Sequence, residues 1–137
     1  MANSLKLEVV TPEKRVVDEQ ASEVTIPGST GYLGILPGHA PLITEIAVGE
    51  ISYKDVQGAK HLLAVAWGFA EVLPDKITVL AETAEKATDI DVTRAEQARM
   101  KAEAALKGAA PGTDNSEAAA ALLRADSRIK VAKDDGK

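Results

Sequence analysis

The sequence predicts a β + α fold, an N-terminal antiparallel β-sandwich followed by a C-terminal antiparallel α-helical hairpin. Most glycines and prolines and every aromatic residue lie in residues 1–88, where short β-prone runs alternate with turn signals. Such spacing is typical of a sandwich or a flattened barrel. Residues 89–137 are rich in alanine and charge and show a helical period. We therefore expect two domains, a β-sandwich over residues 1–88 and a two-helix domain over residues 89–137.

The first half contains eight to ten β-prone runs. Leu5, Leu7 and Val9 alternate with Lys6 and Glu8, which is the period of a half-buried strand. Turn residues separate the runs that follow, and Gly68 predicts a bulge or bend between two of them. The further runs are 15–19, 23–26, 31–36, 42–46, 51–54, 62–67, 69–73 and 76–81.

The stretch 26–41, IPGSTGYLGILPGHAP, is the part of the chain richest in turn signals. Gly34 has no side chain to pack within a brief strand. A backbone with so much glycine allows close approach, either by another strand of the same sheet or by another protein. Periodicity does not choose between the two.

The second half predicts two helices of similar length. We expect the first over residues 91–107, capped by Asp89 and ended by Gly108. After a loop at 109–113, Asp114 and Glu117 resemble a capping box. One stripe of the second helix is apolar, formed by Ala118, Leu122, Ala125, Ile129 and Ala132. Because alanine buries little area, the contact between the helices should be thin and the hairpin a candidate for a part that moves.

Composition excludes several classes of function. Residues 1–88 hold seven Lys/Arg against twelve Asp/Glu, and residues 89–137 hold nine against nine. An acidic half, a neutral half and few aromatics argue against nucleic-acid binding. The chain has no cysteine, and no segment has the length and apolarity of a membrane span. We expect a soluble protein that is made and kept in the cytoplasm, without direct membrane insertion.

No motif predicts a catalytic or metal site. Gly28, Gly31 and Gly34 lie in β-like sequence and not at the head of a helix, so they do not form a phosphate loop. His39 and His61 are far apart and show no acid or second imidazole at ligand spacing, which predicts no zinc site. The carboxylates show no matched acid and base. We expect a noncatalytic protein.

One charged set near the joint between the halves has two interpretations. If the hairpin folds back, Arg124 and Arg128 could approach Arg94, and three guanidinium groups in one place would suit a polyphosphate. Alternatively, Asp91 and Arg94 form a surface pair and the later arginines are merely solvated. Spacing alone favours the second interpretation.

Four motifs together resemble a known family. The stretch 26–41, the segment GFAEV at 68–72, ITVLAE at 77–82 and IDVTRA at 90–95 occur in the order and spacing of the epsilon subunits of bacterial F-type ATP synthases. The resemblance runs from about residue 5 to residue 131. It implies a ten-stranded sandwich, a helical hairpin and a place in the central stalk of the rotor, on the cytoplasmic face of the plasma membrane as a peripheral protein.

The resemblance also implies partners for the sandwich. Contact with the gamma subunit is implied for Thr11, His39 and Thr44. Contact with the c ring is implied for the turn at Gly31, Tyr32 and Leu33. Trp67 stands where a glycine is common in this family.

For the hairpin, the resemblance implies two states. Extended along gamma, it inhibits ATP hydrolysis, and its basic residues face the alpha and beta subunits; these are Arg124, Arg128, Lys130 and Lys133. Folded, some members bind ATP as a regulatory ligand, and the matching residues are Glu85, Ile90, Asp91, Arg94, Arg124 and Arg128. No cofactor is required. The alternatives are a free-standing small-molecule or ATP sensor and a sandwich that binds some other protein.

Overall fold

The computed structural model describes residues 3–135, which form a seven-stranded sandwich and two α-helices. A single 3-10 turn, Ala87–Asp89, joins the two parts. The helices are α1, Val92–Lys107, and α2, Ser116–Asp134. The strands are β1 Leu5–Val10, β2 Arg15–Gly28, β3 Gly31–Ile35, β4 Leu42–Ile46, β5 Gly49–Asp55, β6 Lys60–Leu73 and β7 Lys76–Lys86.

The predicted fold class is confirmed, with fewer strands than expected among residues 3–135. Two long strands, β2 and β6, each contain two of the short runs that the sequence suggested. Each long strand changes neighbours along its length. β2 pairs with β1 in its first half and with β5 and β3 in its second, and β6 pairs first with β5 and then with β4. Because each long strand exchanges its neighbours, it passes from one layer of the sandwich to the other without an intervening turn.

The core lies between the layers and is almost entirely aliphatic. Leu7, Val9, Ile26, Ile51 and Val79 have no exposed surface. One pair departs from the antiparallel pattern, because β1 runs parallel to β7 from Lys6 opposite Lys76 onward. The first and last strands of the sandwich thus lie side by side, and their pairing closes that edge.

The predicted bend in β6 is present at Trp67 and Gly68. Trp67 has a φ of 50° and Gly68 a φ of 148°, both in the left-handed region. A Cβ on Gly68 would lie 1.9 Å from the carbonyl oxygen of Leu80 on the neighbouring strand. The bend also marks the point at which β6 exchanges β5 for β4, since Val65 pairs with Gly49 and Gly68 pairs with Ile46.

The structure corrects both helix starts. Asp89 ends the 3-10 turn, and it is Asp91 that caps α1, because its carboxylate accepts the N–H of Arg94 at 3.1 Å. The capping box at Asp114 is also wrong. α2 begins after Asn115, and Asp114 accepts the N–H of Ser116 at 3.0 Å in a turn that precedes the helix. Gly108 does end α1.

The two helices pack as the predicted antiparallel pair, mainly through small side chains. The buried residues of α1 are Ala95 and Ala102, and those of α2 are Ala125, Ile129 and Val131. Neither of the two helices described is long and apolar enough to cross a bilayer.

Helix α2 also lies against the sandwich. Val131 is 1% exposed and packs on Leu62 and Ala64 of β6 together with Ala87. For this reason all residues from Leu62 to Ala66 are buried, whichever face they point to. Beyond the bend, β6 returns to alternation, with Phe69 and Glu71 exposed and Ala70 and Val72 buried.

Candidate functional site

A cleft of about 730 Å³ lies between the sandwich and the hairpin. The turn after β1, the end of β7, the first turns of α1 and one residue of α2 enclose it. Its volume lies within the range of small-molecule sites. The lining residues that carry charge are Glu13, Lys14, Glu85, Lys86, Asp89, Asp91, Arg94 and Arg128.

The charges in the cleft are balanced, four cations against four carboxylates. Arg128 reaches across from α2 and pairs with Glu85 of β7 at 3.4 Å. Asp91 is already engaged as the N-cap of α1. An anionic ligand would therefore have to replace Glu85 as the partner of Arg128, and Lys14 and Lys86 would supply further positive charge.

Four of the six residues implied for ATP binding line this cleft: Glu85, Asp91, Arg94 and Arg128. The other two do not. Ile90 is half-buried and packs against the cluster around Val131. Arg124 donates to Glu117 at 2.9 Å and its guanidinium lies 5.5 Å from the ring centroid of Trp67, which is the distance of a cation–π contact.

The basic residues of α2 that are implied to face alpha and beta are mostly occupied in this folded hairpin. Arg124 and Arg128 contact Trp67 and Glu85. Lys130 donates to Asp134 at 3.1 Å, and this bond raises the pKa of Lys130. Lys133 is exposed. These roles remain predictions.

Several residues that position the hairpin were missed by the sequence analysis. They are Trp67 as the partner of Arg124, and Ser127, whose hydroxyl donates to the carbonyl of Gly49 at 3.1 Å. Val131 was missed as well. We call the pairs Arg124–Trp67, Ser127–Gly49 and Arg128–Glu85, with the packing of Val131, the docking contacts of α2. One signal was available, since the unbroken apolar run at 62–66 indicates a strand that is covered on both faces.

The three positions implied for gamma differ in exposure. Thr11 is 8% exposed, and its hydroxyl donates to the carbonyl of Lys14 at 3.2 Å. It also lines the cleft. His39 is half-buried with Nδ1 2.7 Å from the carbonyl oxygen of Ala40, and Thr44 is half-buried in β4. Their contact with gamma stays a prediction.

Near these positions, three large apolar side chains are exposed on one face of β4, β6 and β7. Ile43 is 71% exposed, Phe69 57% and Leu80 56%. Phe69 lies directly opposite Leu80, and Ile43 lies opposite Glu71, two residues along β6 from Phe69. Cross-strand neighbours and diagonals on one face are within reach of each other. We call Ile43, Phe69 and Leu80 the outer apolar row.

The residues implied for the c ring begin β3, directly after the turn that joins it to β2. Gly31 has a φ of 139°, and Tyr32 is 61% exposed. The phenol oxygen of Tyr32 accepts the N–H of Glu50 at 3.2 Å, so the side chain is held at the start of β5. Leu33 packs partly against the core. The turn is therefore exposed at its tip and anchored at its base.

The expectation that neither histidine has an acid nearby is wrong for His61. Its Nε2 lies 2.8 Å from Oδ2 of Asp55, six residues before it. The hairpin between β5 and β6 brings the two together.

Comparison with known families gives two matches that together cover nearly the whole chain. Residues 4–87 match the model described as ATP synthase, Delta/Epsilon chain, beta-sandwich domain. Residues 88–133 match the model described as ATP synthase, Delta/Epsilon chain, long alpha-helix domain.

Curated relatives carry the name ATP synthase epsilon chain. The chain is 57% identical to that of Koribacter versatilis over 111 residues, which is 81% of this chain and 78% of the relative. It is 47% identical to that of Citrifermentans bemidjiense over 133 residues, 96% of each. The relative from Moorella thermoacetica is 46% identical over 94% of this chain and 96% of its own length.

Solved structures share the fold. A chain from the Euglena gracilis mitochondrial ATP synthase, in a structure of OSCP, F1 and c-ring, superposes with a TM-score of 0.80 at 19% identity, over 93% of this chain and 80% of that one. A chain from the Tetrahymena thermophila mitochondrial ATP synthase central stalk and c-ring gives a TM-score of 0.60 at 14% identity, over 97% and 96%.

Proposed function

The chain belongs to the delta/epsilon chain family of the ATP synthases, and on that premise we propose that it is a noncatalytic rotor subunit of the bacterial enzyme. Its sandwich binds the gamma subunit and the c ring in the central stalk. Its hairpin restrains ATP hydrolysis when it extends toward alpha and beta. The subunit lies on the cytoplasmic face of the membrane and is held there by its partners.

The outer apolar row is the observation that carries the proposed contact with gamma. Three large apolar side chains are exposed on one sheet face, and exposed apolar patches rimmed by polar residues mark interaction sites. Their neighbours include Glu45 and Glu71, which would form a polar rim around the apolar centre.

Copurification tests this contact. We expect Phe69→Asp to weaken association with gamma at least tenfold, because it would bury a charge in the interface. Val56→Asp is the matched control, since Val56 is 59% exposed in the turn between β5 and β6. A chain that does not associate with gamma at micromolar concentration would refute the rotor assignment and favour a free-standing sensor, the alternative function.

The weak attachment of the hairpin supports the proposed inhibition. Among the docking contacts of α2, Val131 packs in a small aliphatic cluster with Leu62, Ala64 and Ala87. The other docking contacts are polar or cation–π contacts with partly exposed partners. Exposed ion pairs contribute little to stability. A hairpin held in this way can detach at a cost of only a few kcal/mol, which suits a switch.

Truncation tests the inhibition. An ATP synthase that contains only residues 1–88 of this chain should hydrolyse ATP faster than one that contains the full chain. Its content of gamma and c ring should stay the same. If hydrolysis does not change, the hairpin does not inhibit in this enzyme.

The cleft supports ATP as a regulatory ligand of the folded hairpin. It has the volume for a nucleotide, and Arg94 and Arg128 of the hairpin line it together with Lys14 and Lys86 of the sandwich. A ligand that binds only the folded state would stabilise it by RT ln(1 + [L]/Kd).

Calorimetric titration of the full chain with ATP, with and without Mg²⁺, tests this binding. Arg94→Ala and Arg128→Ala should each abolish the heat. Arg124→Ala should reduce the affinity less, because Arg124 contacts Trp67 outside the cleft. A wild-type chain that gives no heat at millimolar ATP would refute ATP sensing and leave the rotor assignment untouched.

A further inference from the structure

A second cluster of polar side chains lies on the sandwich, apart from the cleft. Glu19 belongs to β2, Asp55 ends β5 and His61 lies near the start of β6. One ligand atom from each of the three lies within 4.8 Å of the other two. None of these residues lines the cleft.

Asp55 is oriented by its own turn. One carboxylate oxygen, Oδ1, accepts the N–H groups of Gln57 and Ala59 at 2.9 and 3.0 Å. The other oxygen, Oδ2, therefore points at Nε2 of His61, 2.8 Å away. Because the carboxylate is fixed by the backbone, Oδ2 keeps this position whether its partner is an imidazole or a cation.

Tyr53 orients the other two members. Its hydroxyl donates to Oε2 of Glu19 at 2.7 Å. Its ring stacks on that of His61 with the centroids 4.7 Å apart and the planes 20° from parallel. Partners of this kind, which hold a ligand without binding the ion, accompany metal sites and fix the orientation of the ligands.

The local field favours a cation. The carboxylates of Glu19 and Asp55 would supply two negative charges to a bound ion, which one divalent ion would balance. The side chain of His61 is 39% exposed, so an ion can reach it from solvent.

We propose that Glu19, Asp55 and His61 bind a divalent transition-metal ion, with Zn²⁺ the ion best suited to one imidazole nitrogen and two carboxylate oxygens. Zn²⁺ binds such atoms at about 2.0–2.2 Å, which places tetrahedral ligand atoms about 3.3–3.6 Å apart. The pair Asp55–His61, now 2.8 Å apart, would open by about 0.5–0.8 Å to admit the ion, and ligand atoms as far apart as 4.8 Å would close by about 1 Å. Three protein ligands leave one position for water, and the ion would link β2, β5 and β6.

Titration of the full chain with ZnCl₂ by calorimetry, and with CoCl₂ by visible absorption, tests the site. We expect one ion per chain and a Co²⁺ spectrum of low coordination number. Glu19→Gln and His61→Gln should each weaken binding at least tenfold. His39→Gln is the matched control, because His39 lies in a turn with its imidazole against the carbonyl of Ala40, and it should bind as the wild type does.

Two outcomes would overturn the proposal: no heat and no Co²⁺ spectrum at millimolar metal, or unchanged affinity in His61→Gln. A measurement on the wild-type chain alone tests the site without depending on whether the variants fold. Addition of one equivalent of Zn²⁺ should shift the ring ¹⁵N resonances of His61 and leave those of His39 in place. A shift of His39 alone would also overturn the site.

Discussion

At the scale of single residues, the bend at Trp67 and Gly68 connects the sandwich with the hairpin. The backbone of both residues is in the left-handed region, which costs a non-glycine residue such as Trp67 about 1 kcal/mol or more. The bend places the indole where Arg124 of α2 lies over it. A strained strand position is thus part of the surface to which α2 docks.

Gly68→Ala should destabilise the sandwich by several kcal/mol. The new Cβ would meet the carbonyl oxygen of Leu80, and the backbone would have to leave a φ that alanine rarely adopts. Urea unfolding measures the loss. Gly34→Ala is the matched control, because a Cβ there meets nothing within 4 Å. Equal losses at both positions would contradict this account of the bend.

The carboxylate of Asp55 should make stability depend on pH in the acid range. The hydrogen bond to His61 lowers the pKa of Asp55, as do the N–H groups of Ala59 and Gln57. A depressed folded-state pKa stabilises the fold above the ordinary value, near 4, and this stabilisation is lost as pH falls through the folded-state value.

Urea titrations in the presence of a chelator, at about pH 6 and about pH 3, test the effect. Asp55→Asn should be less stable than the wild type at the higher pH and should lose less stability on acidification. Asp126→Asn, at an exposed position of α2, should keep the pH dependence of the wild type. If Asp55→Asn also keeps the pH dependence of the wild type, other carboxylates cause the loss of stability in acid.

At the scale of elements, the sequence predicted the type and order of the strands and helices well. It predicted poorly which of them contact each other. Alternation located β1, and the helical period located α1 and α2, because both patterns are local. The two long strands were divided, since turn-like residues such as Gly68 fall within a continuous ladder. Spacing along α2 likewise does not reveal that Trp67 lies beneath Arg124, which is implied for ATP but lies outside the cleft.

Substitution of Val131 tests how the hairpin docks on the sandwich. Val131→Ala removes two buried carbons, about 2 kcal/mol including the cavity, and should shift the balance toward the detached hairpin about 30-fold. Amide hydrogen exchange in α2 should accelerate accordingly, while β6 stays protected. Leu123→Ala, at a position of α2 that is 54% exposed, should leave exchange unchanged. Equal acceleration by both would mean that Val131 does not hold the hairpin.

At the scale of the whole molecule, the two proposed states compete for the same residues of α2. Arg128 pairs with Glu85 across the cleft in the folded hairpin, and the family resemblance implies that it faces alpha and beta in the extended one. ATP in the cleft would therefore oppose inhibition, because a ligand of one state draws the equilibrium away from the other. Mutating Arg128 would disturb both states, so it cannot separate them.

Arg94 can separate them, since it lines the cleft from α1 and is not among the residues implied to contact alpha and beta. Arg94→Ala should abolish the protection by ATP and leave the extended hairpin able to inhibit. At ATP a hundredfold above Kd, the lost stabilisation is about 2.7 kcal/mol, a shift of about 100-fold toward the extended state. The assembled enzyme should then hydrolyse millimolar ATP more slowly than the wild type, and the two rates should converge as ATP falls below Kd.

Arg99→Ala, which breaks a surface pair with Glu103 on the same helix, is the control and should behave as the wild type. A faster Arg94→Ala enzyme would mean that Arg94 serves the inhibitory state, and the cleft would then have no part in relieving inhibition.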